Sequence, residues 1–564
     1  MNQDVAPHTT PARAPRVMIL RALAAVQAAV LPALGIPMFF RNEAGWHYLL
    51  WQRTHFLDLF DGFLGPRSSM SNAVLSRPLV RVLEWSQVRL FGLQATNYIV
   101  FNGALFVGFA LALFQLSFEL CGAATAVIAV LVLMGGYQIV FYPVLNAIHG
   151  LQYPLEMLLC TASLLLFARA FAGRRRHVAP AVVLALLACV SHAASAVVIP
   201  LAVAAMSLGS RAPGRRHRVA IALASPLGVL LVFALERSGV PGGLASQPDM
   251  AARIGFALRQ TAALGTLILR PPGGPLLVIG MALAAALALR RIATAVTLAT
   301  FLGAAVCWLL LRRIPLIAPP LLLAAGAVAV VRRPSLWFVI VWAAVGALLY
   351  IATPEVNASY ARHFVVPLLL LAAAGLRHLL AAATSPGAVR RLVAAFDLER
   401  AAFVATVGLV GTLALATQVR IPGLSSKLEQ LRYVRDLGIN FRDALGNALA
   451  GVPRDGELGF FAGRSRDDEM RSFYGDDYFA RLQPAKAEHY DDFTAMLGRP
   501  DVRVLQVDPE AGPFPTGIPV LAVNPWEEER ARALCNCEPV HRHQRGRARA
   551  ALYRAAPESG SASP

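Results

Sequence analysis

Apolar runs of bilayer-spanning length recur along this chain, and short arginine clusters separate many of them. About 20 helical residues are needed to cross roughly 30 Å of hydrocarbon, and runs near 97–119, 123–145 and 151–172 meet that length one after another. A water-facing surface normally needs about 25% charged residues. Here 57% of residues are hydrophobic and 15% are charged, which excludes a soluble globular chain. The formal charge of +19 does not point to nucleic acid, because the basic residues sit between apolar runs rather than in one patch. The chain reads as a polytopic membrane protein.

Charge then orients the spans. The first, 17–40, follows Arg13 and Arg16, which places residues 1–16 as a cytoplasmic tail and residues 41–95 as an outer loop. The fourth run ends in Arg174, Arg175, Arg176 and His177, and counting crossings puts that cluster inside. Residues 178–208 are too long for one untilted span and carry Ser191 and His192 at their middle. Two short spans with an outer turn at 191–195 return Arg211, Arg215, Arg216 and Arg218 to the cytoplasm, whereas one span would strand them outside. Further spans at about 219–235, 275–289, 292–311, 314–331, 335–352, 364–383 and 401–418 complete a membrane domain over 17–420. Residues 237–273 form a second outer loop, in which 254–270 reads as an interfacial amphipathic helix.

Beyond residue 420 the composition turns polar, with Gly and Pro turns. Residues 424–445 read as a helix and 457–461, 502–507 and 518–523 as strands, so 421–555 is expected to be a small extramembrane α/β domain and 556–564 a disordered tail. The expected fold class is thus an all-α polytopic membrane protein of about 13 transmembrane helices with a small C-terminal α/β domain outside the cytoplasm.

Four cysteines (Cys121, Cys160, Cys189, Cys307) lie in apolar runs and read as small buried hydrophobes. Cys535 and Cys537 could oxidise outside the cytoplasm, though across a strained one-residue spacing. No spaced Cys/His set marks a metal site.

The candidate chemistry gathers at the outer boundary. Glu43 falls within a few residues of the end of the first span, followed by the interfacial aromatics Trp46, Tyr48 and Trp51. A carboxylate held at that depth is partly desolvated, which strengthens it as a base; the plain alternative is a Glu facing headgroup water. Asp58 and Asp61 stand three apart, on one face if helical, and could hold a divalent cation or do acid/base work, although such pairs are common on solvated faces. Arg312 and Arg313 occupy an outer turn where topology gives no reason for cations. Snorkelling to headgroups and binding an anion such as a lipid phosphate are equal readings there. His149 and His192 at outer turns are more often interfacial histidines than ligands.

The series FFRNEAGWHYLLW (39–51), DGFLG (61–65), SRPLVRVLEWSQVRLFGLQATNYIVFNGALF (76–106), FYPVLNAIHGLQYPLEMLLCTASLLLF (141–167) and SHAASAVVIPL (191–201) resembles integral-membrane glycosyltransferases of the C-type superfamily. The nearest branches are those like the protein O-mannosyltransferases and aminoarabinose transferases. The likeness covers roughly 17–210 and is topological beyond. It implies transfer of a sugar from a polyprenyl-phosphate carrier to an extracytoplasmic acceptor (glycan, lipid or protein), with a first-loop carboxylate as base, in a bacterial inner membrane. Position by position, the acidic pair falls on Asn42 and Glu43 and the second loop element on Asp61. The sequence departs from the family where Asn42 replaces an acid, and where His192 and Ala193 stand in place of Lys and Glu.

The implied reading makes Glu43 the base and Asp61 its support. Arg312, Arg313 and Arg362, with His363, Asn42, Asp58 and His192, become the substrate-binding candidates. Glu43 and Asp61 are the positions for a divalent cation (Mg or Mn), which the sequence does not require. Arg362 and His363 lie in TPEVNASYARHFVVPLLLL (353–371), which resembles the entry into a late span of these enzymes, while an interfacial anchor explains Arg362 equally well. The alternatives are a non-enzymatic protein for polysaccharide or lipid transport or assembly, and an inactive relative of the transferases.

Overall fold

The computed structural model describes residues 14–34, 44–60, 77–122, 148–209, 318–333, 336–352, 424–461, 490–507, 514–523, 525–546 and 548–555, with single positions at 126, 129, 130 and between 363 and 378. The membrane part contributes α1 (Ala14–Leu34), α2 (Ala44–Arg53), α3 (Pro78–Phe91), α4 (Ala95–Cys121), α5 (Gln152–Phe171), α6 (Val178–Ser191), α7 (Ala193–Gly209), α8 (Ala318–Val331) and α9 (Trp337–Ala352). Positions 363, 366–368, 370, 371, 374, 375 and 378 are also helical. Among the described residues two helices, Ala95–Leu120 and Gln152–Phe171, are long and apolar enough to cross a membrane, and four shorter apolar helices accompany them.

α4 and α5 run in the same direction. Gly108 of α4 lies against Leu158 of α5, and farther along both helices Arg169 Nε donates to Glu119 Oε1 at 2.9 Å. Parallel neighbours fit the intervening span read at 123–145, most of which lies outside the described residues. At the same end Gln115 donates to Glu119 at 2.6 Å, and Arg21 of α1 contacts Gln115. This end carries Arg174 and Arg176, exposed in the turn from α5 to α6, and so corresponds to the side assigned inside by charge.

The break between α6 and α7 has a local cause. His192 is extended (φ −161°, ψ 134°), and its Nδ1 accepts the Ala194 amide at 3.1 Å, a side-chain cap on the first turn of α7. Two helices therefore replace one long run, with the turn where the arginine count demanded it.

The membrane core joins Phe106, Phe109 and Leu113 of α4 to Cys160 and Leu164 of α5 and to Trp342 of α9, among others. Trp342 is fully buried. At Gly326 of α8 the approach is closest. A Cβ built there would stand 2.0 Å from the carbonyl oxygen of Leu371, so only glycine lets these backbones meet.

The C-terminal part is a five-stranded sheet flanked by helices. Its elements are α10 (Leu424–Gly451), β1 (Glu457–Phe461), α11 (Tyr490–Met496), β2 (Arg503–Val507), β3 (Pro519–Val523), α12 (Pro525–Cys535), β4 (His541–Arg545) and β5 (Ala548–Arg554). The order is β2-β1-β3-β5-β4, with β2, β1 and β3 mutually parallel and β5 antiparallel to both β3 and β4. Period-two alternation divides the faces. Leu458, Phe460, Leu521 and Val523 join the core under α10, while Phe461, Val520, Ala522 and Tyr553 join the smaller core that includes Ala531 of α12. The α10 stripe is Leu437, Phe441, Ala444, Leu445 and Ala448, at helical spacing. Cys535 and Cys537 at the end of α12 are bonded to each other.

The core under α10 does not stop at the sheet. It continues through Phe493 and Met496 into Tyr48, Leu49 and Trp51 of α2 and into Leu59, so the C-terminal part is seated on the first outer loop.

Candidate functional site at the outer helix ends

The loop that precedes α3 is held by α3 itself. Pro78 starts the helix with its φ already set, and Gly92, at φ 53°, ends it by donating its amide to Val88. Arg81 and Glu84, three apart on one helical face, are both buried. Arg81 donates to the Leu59 carbonyl at 2.8 Å, and Trp51 Nε1 donates to Glu84 Oε2 at 3.0 Å. Trp85 Nε1 donates to the Thr54 carbonyl at 2.9 Å, while Arg89 reaches the Gln52 carbonyl and lies 5.5 Å over the Trp85 ring. Burial lowers the Arg81 pKa to about 10, against the opposing pull of Glu84, and burial raises that of Tyr48. The result is a rigid platform: α2 and the 57–60 turn are each tied to α3 by a buried polar contact.

Below that platform lies a buried polar cluster drawn from distant parts of the chain. Glu156 is one turn into α5 from the end opposite the Arg169–Glu119 pair, and its side chain is fully buried. Its Oε1 accepts from Ser195 Oγ at 3.0 Å and lies 2.6 Å from His363 Nε2. Against an ionised carboxylate that nitrogen carries the proton and donates. His192 Nδ1 is 3.3 Å from the same oxygen while accepting the Ala194 amide. Nδ1 carries either a lone pair that accepts the amide or a proton that donates to Glu156, so the cap and the ion pair exclude each other. Gln152, one turn before Glu156, contacts Arg77, the residue preceding α3. The Arg77–Gln152 contact and, one turn along α5, the separate bonds of Glu156 to Ser195 and His363 thus connect the first loop with the ends of α5 and α7 and with the late helical positions.

Glu156 carries the most unusual environment, and a reading centred on loops and turns passed over it. The signal was present: an ionisable residue inside an apolar span is a functional candidate by default. Ser195, Gln152 and Arg77 carried no such signal, because only the fold brings them together.

The residues singled out in the sequence divide into three groups. Asn42, Glu43, Asp61, Arg312, Arg313 and Arg362 lie outside the described residues. His192 and His363 are brought together on Glu156. Asp58 stands apart from them, in a 3-10 turn over Leu57–Phe60, where its Oδ2 accepts the His55 amide at 3.1 Å. Among the described residues no group of three or more His, Cys, Asp or Glu is arranged to hold a metal ion; Glu43 and Asp61, the positions expected for a divalent cation, lie outside them.

No protein-family model and no curated protein matches the chain. In a search of solved structures it is similar to the oligosaccharyltransferase of Archaeoglobus fulgidus in its apo form, at 14% identity and a TM-score of 0.43, over 92% of this chain and 71% of that one. It is also similar to ArnT of Cupriavidus metallidurans in the apo state, at 15% identity and a TM-score of 0.39, over 96% and 98% of the two chains. The same protein bound to undecaprenyl phosphate gives 14% identity and a TM-score of 0.38, over 95% and 97%.

Proposed function

We propose that the chain is a membrane glycosyltransferase that moves a sugar from a polyprenyl-phosphate donor to an extracytoplasmic acceptor by inverting displacement. The supporting observation is the convergence on Glu156: one buried carboxylate, two imidazoles and a serine hydroxyl from segments up to 207 residues apart, at the outer helix ends beneath the first loop. The motif series over 17–210 independently resembles the C-type transferases.

In this reading the acceptor hydroxyl gives its proton to Glu43 as its oxygen attacks the anomeric carbon. The bond from that carbon to the carrier phosphate breaks, and its electron pair leaves with the phosphate, whose negative charge grows as it departs. Guanidinium groups answer that charge, because their fork matches phosphate oxygens. Arg77 at the platform edge and Arg312, Arg313 and Arg362 in the outer turns are the proposed set. Asp61 supports the base or, with Glu43, holds a divalent cation. The membrane is a bacterial inner membrane, with the C-terminal sheet on its outer side.

The test is transfer of labelled sugar from polyprenyl-phosphate carriers by the purified full chain and by Glu43→Gln. Loss of a positioned base is expected to lower turnover about 10²- to 10⁴-fold. Equal rates in the two proteins remove Glu43 from the mechanism, and no transfer from any such carrier by the wild type overturns the function.

A further inference from the structure

Glu156 and His363 form a pair whose far side is unmatched. Glu156 Oε1 accepts from Ser195 Oγ at 3.0 Å, and the same oxygen takes the proton of His363 Nε2 at 2.6 Å. That second bond fixes the tautomer, because a neutral ring with its proton on Nε2 carries a lone pair on Nδ1. His363 is 2% exposed, and its Nδ1 is buried with no hydrogen-bond partner among the described residues. Burying an acceptor without a donor is unfavourable, and native structures do so rarely. A hydroxyl so placed could turn toward its own helix, whereas an imidazole pinned at Nε2 cannot turn away. The carboxylate that pins it is costly as well, since Glu156 is fully buried and apolar packing serves stability as well as a buried ionic pair does. The two residues together hold one lone pair in a fixed direction, as a carboxylate does when it sets the tautomer and orientation of a working histidine.

We propose that His363 is a hydroxyl-binding residue, whose Nδ1 accepts the O–H of a substrate carried by the donor's sugar or by the acceptor, and that Glu156 positions the ring for it. This rests on the transferase reading above. It adds to that reading a contact made by described residues alone, one turn inward from the outer end of α5 and beside the first turn of α7.

Amide side chains separate the two ring nitrogens. In His363→Gln the amide nitrogen stands near Nε2 and donates to Glu156, with nothing at Nδ1; in His363→Asn the amide oxygen stands near Nδ1 and the bond to Glu156 is lost. Transfer of labelled sugar from a panel of hexosyl and pentosyl farnesyl phosphates is measured for the full chain in detergent, beside the denaturant midpoint of each variant. His363→Gln is expected to keep the wild-type midpoint and to transfer about tenfold more slowly, the worth of one uncharged hydrogen bond. His363→Asn is expected to unfold earlier than His363→Gln and yet to transfer faster than His363→Leu. For a purely structural histidine, transfer would follow the midpoint in all three. Such tracking, or wild-type transfer by His363→Gln at an unchanged midpoint, overturns the proposal. Should His363→Gln fail to fold, equal transfer by His363→Asn and His363→Leu overturns it. Binding to His363→Gln then locates the hydroxyl. Weaker binding of the sugar-bearing carrier with unchanged binding of farnesyl phosphate puts it on the donor's sugar, and unchanged binding of both with slower transfer puts it on the acceptor. An equal loss for both carriers overturns the assignment to a hydroxyl while leaving the transferase reading intact. A wild type that transfers from none of the panel overturns that reading and this inference with it.

Discussion

Replacing Gly326 with alanine adds one methyl group where α8 meets the helical positions around 371. The built Cβ stands 2.0 Å from the Leu371 carbonyl oxygen and 2.7 Å from its carbon, while ordinary contact begins at 3.4 Å. The shortfall at the oxygen, 3.4 − 2.0, is about 1.4 Å, and the obstacle is backbone, which cannot swing aside as a side chain would. Overpacking of this kind costs about 1–3 kcal/mol. Gly326→Ala is therefore expected to lower unfolding stability in detergent by about that amount. Gly446→Ala in α10 is the paired control. Nothing lies within 4 Å of its built Cβ, so the same methyl is expected to stabilise by about 0.5–1 kcal/mol through helix propensity. Tryptophan fluorescence during denaturant unfolding of the full chain reports both. Equal stability for wild type and Gly326→Ala would refute the close approach.

Further substitutions probe the first loop and the C-terminal sheet. Trp51→Phe keeps the ring packing but removes the donor to the buried Glu84, and is expected to cost about 1–3 kcal/mol in unfolding experiments, with Glu84→Gln recovering part of the loss. Glu527 is fully buried at the start of α12, where its Oε2 accepts the Val523 amide at 3.0 Å, and burial raises its pKa well above the usual carboxylate range. A raised carboxylate pKa means the unfolded chain sheds that proton first, so stability falls as pH rises above about 4.3. Glu527→Gln should thus protect the sheet in amide exchange at pH 7 and lose that advantage below pH 4. Asp501 has the opposite sign. The Arg499 side chain, hydrogen-bonded to it, lowers its pKa to about 2, so its contribution is present above the unfolded value and disappears as pH falls through about 2. Asp501→Asn is expected to exchange faster than wild type at neutral pH and equally at pH 2.

What was legible in the sequence was local. ELGFF and IPVLAV, short runs bounded by Gly and Pro turns, mark two strands that lie side by side in the sheet, apolar almost throughout because both of its faces are covered. The break at His192 followed from charge counting, and the structure supplies its mechanism in the cap on Ala194. The polar cluster was hidden for the converse reason. Glu156 is separated from Ser195 by 39 residues and from His363 by 207, and no periodicity reports a partner at such range. Asp58 shows how spacing can mislead. Its 3-10 turn spends the carboxylate on the local His55 amide, which a helical reading of Asp58 and Asp61 does not anticipate.

The seat of the C-terminal sheet on α2 makes a demand on the whole topology. Tyr48, Trp51 and Leu59 share one core with Phe441, Phe460 and Phe493, so both stretches lie on the same side of the bilayer. The chain must then cross an even number of times between them, a parity that the spans read over 97–418 satisfy. Single cysteines in place of Gln52 and Gln544, both exposed, should react with a membrane-impermeant maleimide from the same side of sealed vesicles, while one in place of the exposed Arg174 should react only from the other. Of the native cysteines, Cys160 and Cys189 are buried and Cys535 is bonded to Cys537, and Cys121 and Cys307 are replaced by serine in the background used. Opposite sidedness for positions 52 and 544 would dissolve the shared core. It would also leave the first loop, with Glu43 at its start, without the sheet as its support, and the outer-face site would have to be rebuilt from the helix ends alone.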